Sequence, residues 1–253
     1  MASAKRIILI TGTNSGIGYD TSFALANASP ENHVVMSARS AERGKKALSE
    51  IQGRVPKGTL SFLELDVASD ASISAAVQKL TSDFGVVDVL VNNAGMADRG
   101  PVTRKSLHDI FDVNLFGPVL LTQALEPLLQ LSKDPRIVNL STNLGSVAIR
   151  TDLGSSPNYA QDVEAYRLTK AALNMMTASQ YYHYVKWKHP AKVWSYCPGY
   201  VVTNLDPAGP QNMASRGAGS SETSAAGIVE IVGGKRDGEV NSFITTNGGT
   251  YPW

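Results

Sequence analysis

This sequence predicts an α/β fold: one domain built on a doubly wound parallel sheet of about seven strands flanked by helices. Three observations predict it. Short apolar runs alternate with longer helix-like segments along the chain. Several of the short runs are continuously apolar rather than alternating, as in strands buried on both faces. A glycine-rich turn follows the first run and opens the first helical segment.

In chain order the strand runs are 6–11, 33–37, 60–64, 87–92, 136–141, 192–197 and 242–245. Between them lie helical segments at 17–29, 41–51, 71–84, 107–131, 163–188 and 221–232. Strands joined through helices pair in parallel by right-handed crossovers. There is no internal repeat and no linker, so 1–253 reads as a single domain large enough for a full core. The least regular stretch, 206–221, is rich in Gly, Pro, Ala and Ser. It reads equally as a disordered loop or as a lid over a ligand.

Composition excludes several partners. A net charge of +1 gives no basic excess for nucleic acid or an acidic membrane. No apolar stretch reaches the roughly 20 residues that span a bilayer. Residues 1–6 are short and polar, so no signal peptide is expected, and the expected location is cytoplasmic. The single cysteine, Cys197, excludes an intrachain disulfide. It reads as a buried thiol near a strand end, with a nucleophile as the alternative. The four histidines have no metal-ligand spacing, so no metal is expected.

The turn runs Thr11-Gly12-Thr13-Asn14-Ser15-Gly16-Ile17-Gly18. Gly12 permits a tight turn, Gly16 lets backbone approach a pyrophosphate, and Gly18 lets helix and strand pack closely. The helix then presents unpaired N–H groups to phosphate, which makes Asn14, Ser15 and Ile17 candidate contacts too. The glycine spacing differs from the common dinucleotide fingerprint. The turn also lacks the Lys-Ser/Thr ending of an NTPase phosphate loop, which argues against ATP or GTP hydrolysis. The second strand ends Val35-Met36-Ser37-Ala38-Arg39-Ser40, with no acid to bind a ribose 2′-OH. Arg39 stands 21 residues past Gly18, where such an acid would sit. Its guanidinium can hold a 2′-phosphate, with Arg43 in support, so the expected cofactor is NADP.

Tyr166 and Lys170 stand four residues apart on a helical segment and share a face. An ammonium beside a phenol favours the phenolate, so the Tyr166 pKa is expected to fall toward the range of a general acid/base.

Together these motifs resemble the classical short-chain dehydrogenases/reductases over nearly the whole chain. The matching pieces are Thr11-Gly12-x-x-x-Gly16-x-Gly18, Asp66-Val67, Asn92-Asn93-Ala94-Gly95, Asn114, Asn139-Leu140-Ser141-Thr142, Tyr166-x-x-x-Lys170 and Pro198-Gly199-Tyr200-Val201-Val202-Thr203. A closer resemblance, to sniffer-type carbonyl reductases and related fungal ketoreductases, rests on Leu144-Gly145-Ser146, Asn174 and Asn247-Gly248-Gly249-Thr250-Tyr251-Pro252-Trp253. The resemblance implies a Rossmann-like fold and roles for particular residues. Asp66 and Val67 would hold adenine. Asn93, Ala94 and Gly95 would line the ribose, and Pro198, Gly199, Val201 and Thr203 would border the nicotinamide and pyrophosphate. The catalytic group would be Asn114, Thr142, Tyr166 and Lys170, with Lys170 also on the nicotinamide ribose.

Two departures from the family pattern stand out. Ser141-Thr142 replaces the usual Ser-Ser, so the aligned hydroxyl belongs to Thr142. That Ser141 carries the role, or that the site is impaired, are the alternatives. Tyr166 follows Thr142 by 24 residues, longer than in the common short form. The extra segment, about 151–163, includes Tyr159 and would shape the pocket or cover an oligomer interface. The aromatic cluster Tyr181-Tyr182-His183-Tyr184 with Trp187 suits an interface or local packing.

The implied activity is NADPH-dependent reduction of a ketone or aldehyde by hydride transfer, with Tyr166 as general acid. An NAD-linked alcohol dehydrogenase and a catalytically weak NADP-binding sensor are the alternatives. The partner is a small-molecule carbonyl, selected by 97–104, 146–163 and 204–221. Few charges there favour a neutral compound. A homodimer or homotetramer is left open.

Overall fold

The computed structural model describes residues 5–152, 154, 163–205 and 209–253. Eight strands form one sheet in the order β3-β2-β1-β4-β5-β6-β7-β8. They are β1 (Arg6–Thr11), β2 (Asn32–Ala38), β3 (Thr59–Glu64), β4 (Val89–Asn92), β5 (Arg136–Leu140), β6 (Lys192–Cys197), β7 (Phe243–Thr245) and β8 (Thr250–Tyr251). Every pairing from β3 through to β7 is parallel. Only β8 runs antiparallel, against β7. The strand order reverses between β1 and β4, which opens a crevice at the carboxyl edge of the sheet.

Helices connect the strands: α1 (Gly16–Ala28), α2 (Ala41–Gly53), α3 (Asp70–Asp83), α4 (Arg104–Phe111), α5 (Gly117–Leu129), α6 (Val147–Thr151), α7 (Glu164–Tyr184), α8 (Pro210–Ser215) and α9 (Ser221–Val232). Side chains alternate across a strand, so each face of the sheet builds its own core. From β1, Ile7 and Leu9 join Leu90 and Ile137 against Ile73 of α3 and Leu121 and Leu125 of α5. Ile8 and Ile10 join Val34, Met36, Trp194 and Tyr196 against Leu25 of α1, Ile51 of α2 and Ile228 of α9. The strand runs are continuously apolar because both faces are covered. Truncating Leu9 or Ile8 to Ala would cost about 2–5 kcal/mol.

Three local differences from the sequence expectation have physical reasons. β8 is an added eighth strand, too short to show a pattern. It forms because Gly248 and Gly249 take φ of 84° and 83° and close a tight turn, with Thr245 N–H donating to Gly249 O at 3.0 Å. The expected helix 107–131 is broken into α4, a π-helical turn Asp112–Phe116, and α5. Inside that wider turn the Asn114 side chain bonds Met96 and Thr169 of other segments. Within 206–221, residues 210–215 form α8, with Met213 buried. Residues 206–208 of that stretch lie outside the described residues, as do 153 and 155–162 of the 151–163 segment, Tyr159 included. In the aromatic cluster, Tyr184 and Trp187 pack locally with ring centroids 4.4 Å apart, while Tyr182 is exposed. Among the described residues no helix is long and apolar enough to cross a membrane.

Candidate active site

A cleft of about 920 Å³ runs along the carboxyl edge of the parallel strands. At its centre the β1–α1 turn is held by a latch from β4. Thr11 Oγ1 accepts the N–H groups of Asn93 and Ala94 at 3.0 and 2.9 Å. In return Asn93 Nδ2 donates to the carbonyls of Thr11 and Gly12 at 2.7 and 3.1 Å. Gly12 sits at φ 70°, and a Cβ there would lie 2.9 Å from the Ala94 Cα. At Gly18 a Cβ would stand 2.4 Å from both Gly12 O and Asn93 Nδ2. Both glycines are therefore fixed by close approach of backbone. The Ser15 side chain makes no capping bond to α1 among the described residues, and the first turn carries no acid. Its N–H groups are left for an anion.

At one end of the cleft, β2 delivers Ala38, Arg39 and Ser40 to the wall, and Arg43 follows from α2. Ser40 caps α2 by accepting the Arg43 N–H at 3.4 Å. Both arginines are exposed. Asp66 and Val67 stand beside them. Asp66 Oδ1 accepts the Ala68 N–H at 3.1 Å, which fixes the carboxylate at the strand end. A Cβ at Gly117 would come 2.7 Å from Val67 O, so α5 starts against this wall.

At the other end, α7 places Tyr166, Lys170 and Asn174 on one face, each four residues from the last. Lys170 is buried, and its Nζ donates to Leu140 O at 2.7 Å and lies 5.6 Å from the Tyr166 ring centroid. Burial lowers Lys170 from its ordinary 10.5 to about 8. The expectation of a lowered Tyr166 pKa is corrected here. Burial, with a smaller effect of Cys197, pushes the phenol up, because the ammonium is turned to a backbone carbonyl and desolvation dominates. The Cys197 thiol ends β6, is buried, and is also pushed up by burial.

The adjacent hydroxyls differ in their surroundings. Ser141 is buried and donates to Asn174 Oδ1 at 2.6 Å. That oxygen also accepts Ser195 Oγ–H at 3.0 Å, while Asn174 Nδ2 donates to Gly145 O at 3.3 Å. Thr142 is half-buried and begins the short 3₁₀ turn Asn143–Gly145, where its Oγ1 accepts the Leu144 N–H at 3.3 Å. Gly145 presses that turn onto α7, since a Cβ would lie 2.6 Å from the Lys170 carbonyl carbon. Deeper still, Asn139 links Asn92, Thr177 and Gln180 in a buried network.

Of the expected site residues, Gly12, Asn14, Ser15, Gly16, Ile17, Arg39, Asp66, Val67, Asn93, Ala94, Gly95, Thr142, Tyr166, Lys170, Pro198, Gly199, Val201 and Thr203 share the cleft wall. Gly18 and Asn114 stand behind it. Asn114 is fully buried in the π-turn, where its Oδ1 accepts the Met96 N–H and its Nδ2 donates to Met96 O, both at 2.8 Å, and to Thr169 Oγ1 at 3.1 Å. It clamps the wall after β4 to α7. Sequence reasoning missed Met96, Asn143 and Tyr251 on the wall, while Met213 falls within the expected substrate-side stretch 204–221. The signals for Met96 and Asn143 were their places next to Gly95 and Thr142; Tyr251 arrives from an element distant in sequence.

Known proteins resemble the chain in sequence and in fold. The family model described as short chain dehydrogenase matches residues 6–213. A short-chain dehydrogenase/reductase, tropE, of Talaromyces stipitatus is 30% identical over 99% of both chains. The (-)-isopiperitenone reductase of Mentha piperita is 28% identical over 85% of this chain and 90% of its own. Among solved structures, the NADPH-bound carbonyl reductase from chicken fatty liver superposes with a TM-score of 0.82 at 25% identity, covering 99% of this chain and all of that one. The doubly wound sheet is thus matched by fold and the chain by sequence: it belongs to the short-chain dehydrogenase/reductase family and is an oxidoreductase.

Proposed function

We propose that the protein reduces a ketone or aldehyde to the alcohol with NADPH, Tyr166 acting as general acid. One observation carries the reading: the half-buried Tyr166 phenol, the Lys170 ammonium and the Thr142 hydroxyl line one end of a cleft whose other end holds Arg39 and Arg43.

The residues fit a dinucleotide. The uncapped α1 N-terminus follows the Gly12 turn at the cleft wall, and its unpaired N–H groups suit a diphosphate. Arg39 and Arg43 offer donors to a 2′-phosphate, and no acid ends β2 to repel one. When bound, a reduced nicotinamide supplies hydride to the carbonyl carbon.

Tyr166 stays protonated because burial disfavours its phenolate, so it holds a proton ready for the carbonyl oxygen. Lys170, still charged near neutral pH with its pKa about 8, has its ammonium held by Leu140 O and would hold the nicotinamide ribose beside Tyr166. Thr142 lies at the same wall, and its Oγ–H, which donates to Asn143 Oδ1 at 3.3 Å, would turn to hydrogen-bond the developing oxyanion. Asn114 acts through the Met96 backbone it clamps, keeping wall and α7 in register.

The test is NADPH oxidation measured with a panel of ketones and aldehydes, for wild type and Tyr166→Phe. Turnover that falls at least about a thousandfold in the variant, with NADPH binding retained, supports the reading. Tight NADPH binding with no turnover on any carbonyl would sink it in favour of a sensor. Faster alcohol oxidation with NAD than with NADP would favour the alcohol dehydrogenase.

A further inference from the structure

β8 turns back on β7 and brings Tyr251 to the cleft wall. Two bonds tie this segment to the turn that carries Thr142. Ser146 Oγ donates to Pro252 O at 2.7 Å, and Ala148 N–H donates to Trp253 O at 3.1 Å. On the sheet side, the buried Phe243 ring lies 5.5 Å from that of Tyr251 and stacks on Trp253 at 5.9 Å. The Tyr251 ring is thus fixed between the sheet and the Thr142 turn.

Two aliphatic side chains share the wall with it. Leu144 is two residues beyond Thr142, and the buried Val163 is three before Tyr166, with its carbonyl accepting the Arg167 N–H at 3.0 Å. Leu144, Val163 and Tyr251 thus add two aliphatic side chains and one aromatic ring to the wall that carries Thr142 and Tyr166, which suits a flat apolar group.

Resting on the reductase reading, we infer that Tyr251 is a specificity-determining residue. With Leu144 and Val163 it forms an apolar slot for an aryl substituent on the carbonyl carbon. The slot orients that carbon while the oxygen faces Tyr166 and Thr142. Ser146 acts as a positioning residue, because it pins the segment that carries the ring.

The test compares Tyr251→Ala and Tyr251→Phe with wild type on acetophenone and on acetone at saturating NADPH. The ratio of kcat/KM for the two ketones on one preparation cancels the active fraction, so partial misfolding cannot imitate the effect. Tyr251→Ala lowers that ratio about tenfold, while Tyr251→Phe holds it within about twofold. An unchanged ratio in Tyr251→Ala overturns the slot. If wild type turns over neither ketone, the carbonyl panel decides the reductase reading separately, and calorimetry of acetophenone on the NADP-loaded protein decides the slot. Binding about tenfold weaker in Tyr251→Ala supports it; equal binding, or none to wild type, overturns it.

Discussion

Ser141 donates its hydroxyl to Asn174 Oδ1 at 2.6 Å, the same oxygen that accepts from Ser195. Ser141 is thereby built into the joint between β5, β6 and α7. The neighbouring Thr142 faces the cleft from the start of a 3₁₀ turn. Thr142→Ala is expected to lower kcat about 100-fold with little change in NADPH affinity, the loss typical of one oxyanion donor. Ser141→Ala is expected to cost about 1 kcal/mol of stability and less than tenfold in kcat. Steady-state kinetics and thermal melts of the two variants check this, and the reverse ranking would move the role to Ser141.

Arg39 is exposed just past β2, a strand that ends without an acid. Arg39→Asp should lower kcat/KM for NADPH about 10–100-fold, since a charge-assisted contact is lost and a like charge faces the phosphate. NADH should be affected much less. Equal losses for both cofactors would show that Arg39 does not read the 2′ position.

Lys170 gives a pH signature in the protein without cofactor. Its folded pKa, about 8, lies below the ordinary 10.5 because burial disfavours the charge. The unfolded chain therefore binds more protons between those values, and stability rises with pH across about 8 to 10.5. Lys170→Met removes this rise. The stability advantage of the variant is constant below pH 8 and shrinks by up to about 3 kcal/mol over the window. Denaturant titrations at several pH values measure it; a constant difference throughout would show that the ammonium is not desolvated.

Gly12 and Gly53 form a matched contrast. Gly12 has φ 70° and a Cβ there would meet Ala94 backbone, whereas Gly53 has open space around it. Gly12→Ala should cost about 1–3 kcal/mol and weaken NADPH binding strongly. Gly53→Ala, in the last position of α2, should be neutral or gain up to about 1 kcal/mol. Melting curves and a fluorescence titration with NADPH compare them.

Much of this was legible in the sequence because it is written locally. Strands such as Arg6–Thr11 and Lys192–Cys197 announce themselves by continuous apolar runs. The glycine turn and the Tyr166–Lys170 pair each fall within a few residues. What escaped depends on contacts between distant positions. β8 is two residues long and rests on a glycine turn. Tyr251 reaches the wall through the Ser146–Pro252 bond, which joins positions 106 apart. The direction of the Tyr166 shift depended on where the Lys170 ammonium points, which spacing on a helix does not determine. Asn114 could be named from its motif, but its partner Met96 lies on another element.

The π-turn at Asp112–Phe116 also fixes a phase. Each residue of an α-helix advances about 100° around its axis. Deleting one residue between 112 and 116 would let a straight helix form, yet it would rotate α5 against α4 by that angle. Either Leu121 and Leu125 would leave the sheet, or Ile110 would leave its burial, and Asn114 would lose Met96 in both cases. The chain length across this turn is therefore as much a constraint on the site as any side chain in it. Single-residue insertions or deletions here should be tolerated far less than substitutions at exposed positions of the same helices.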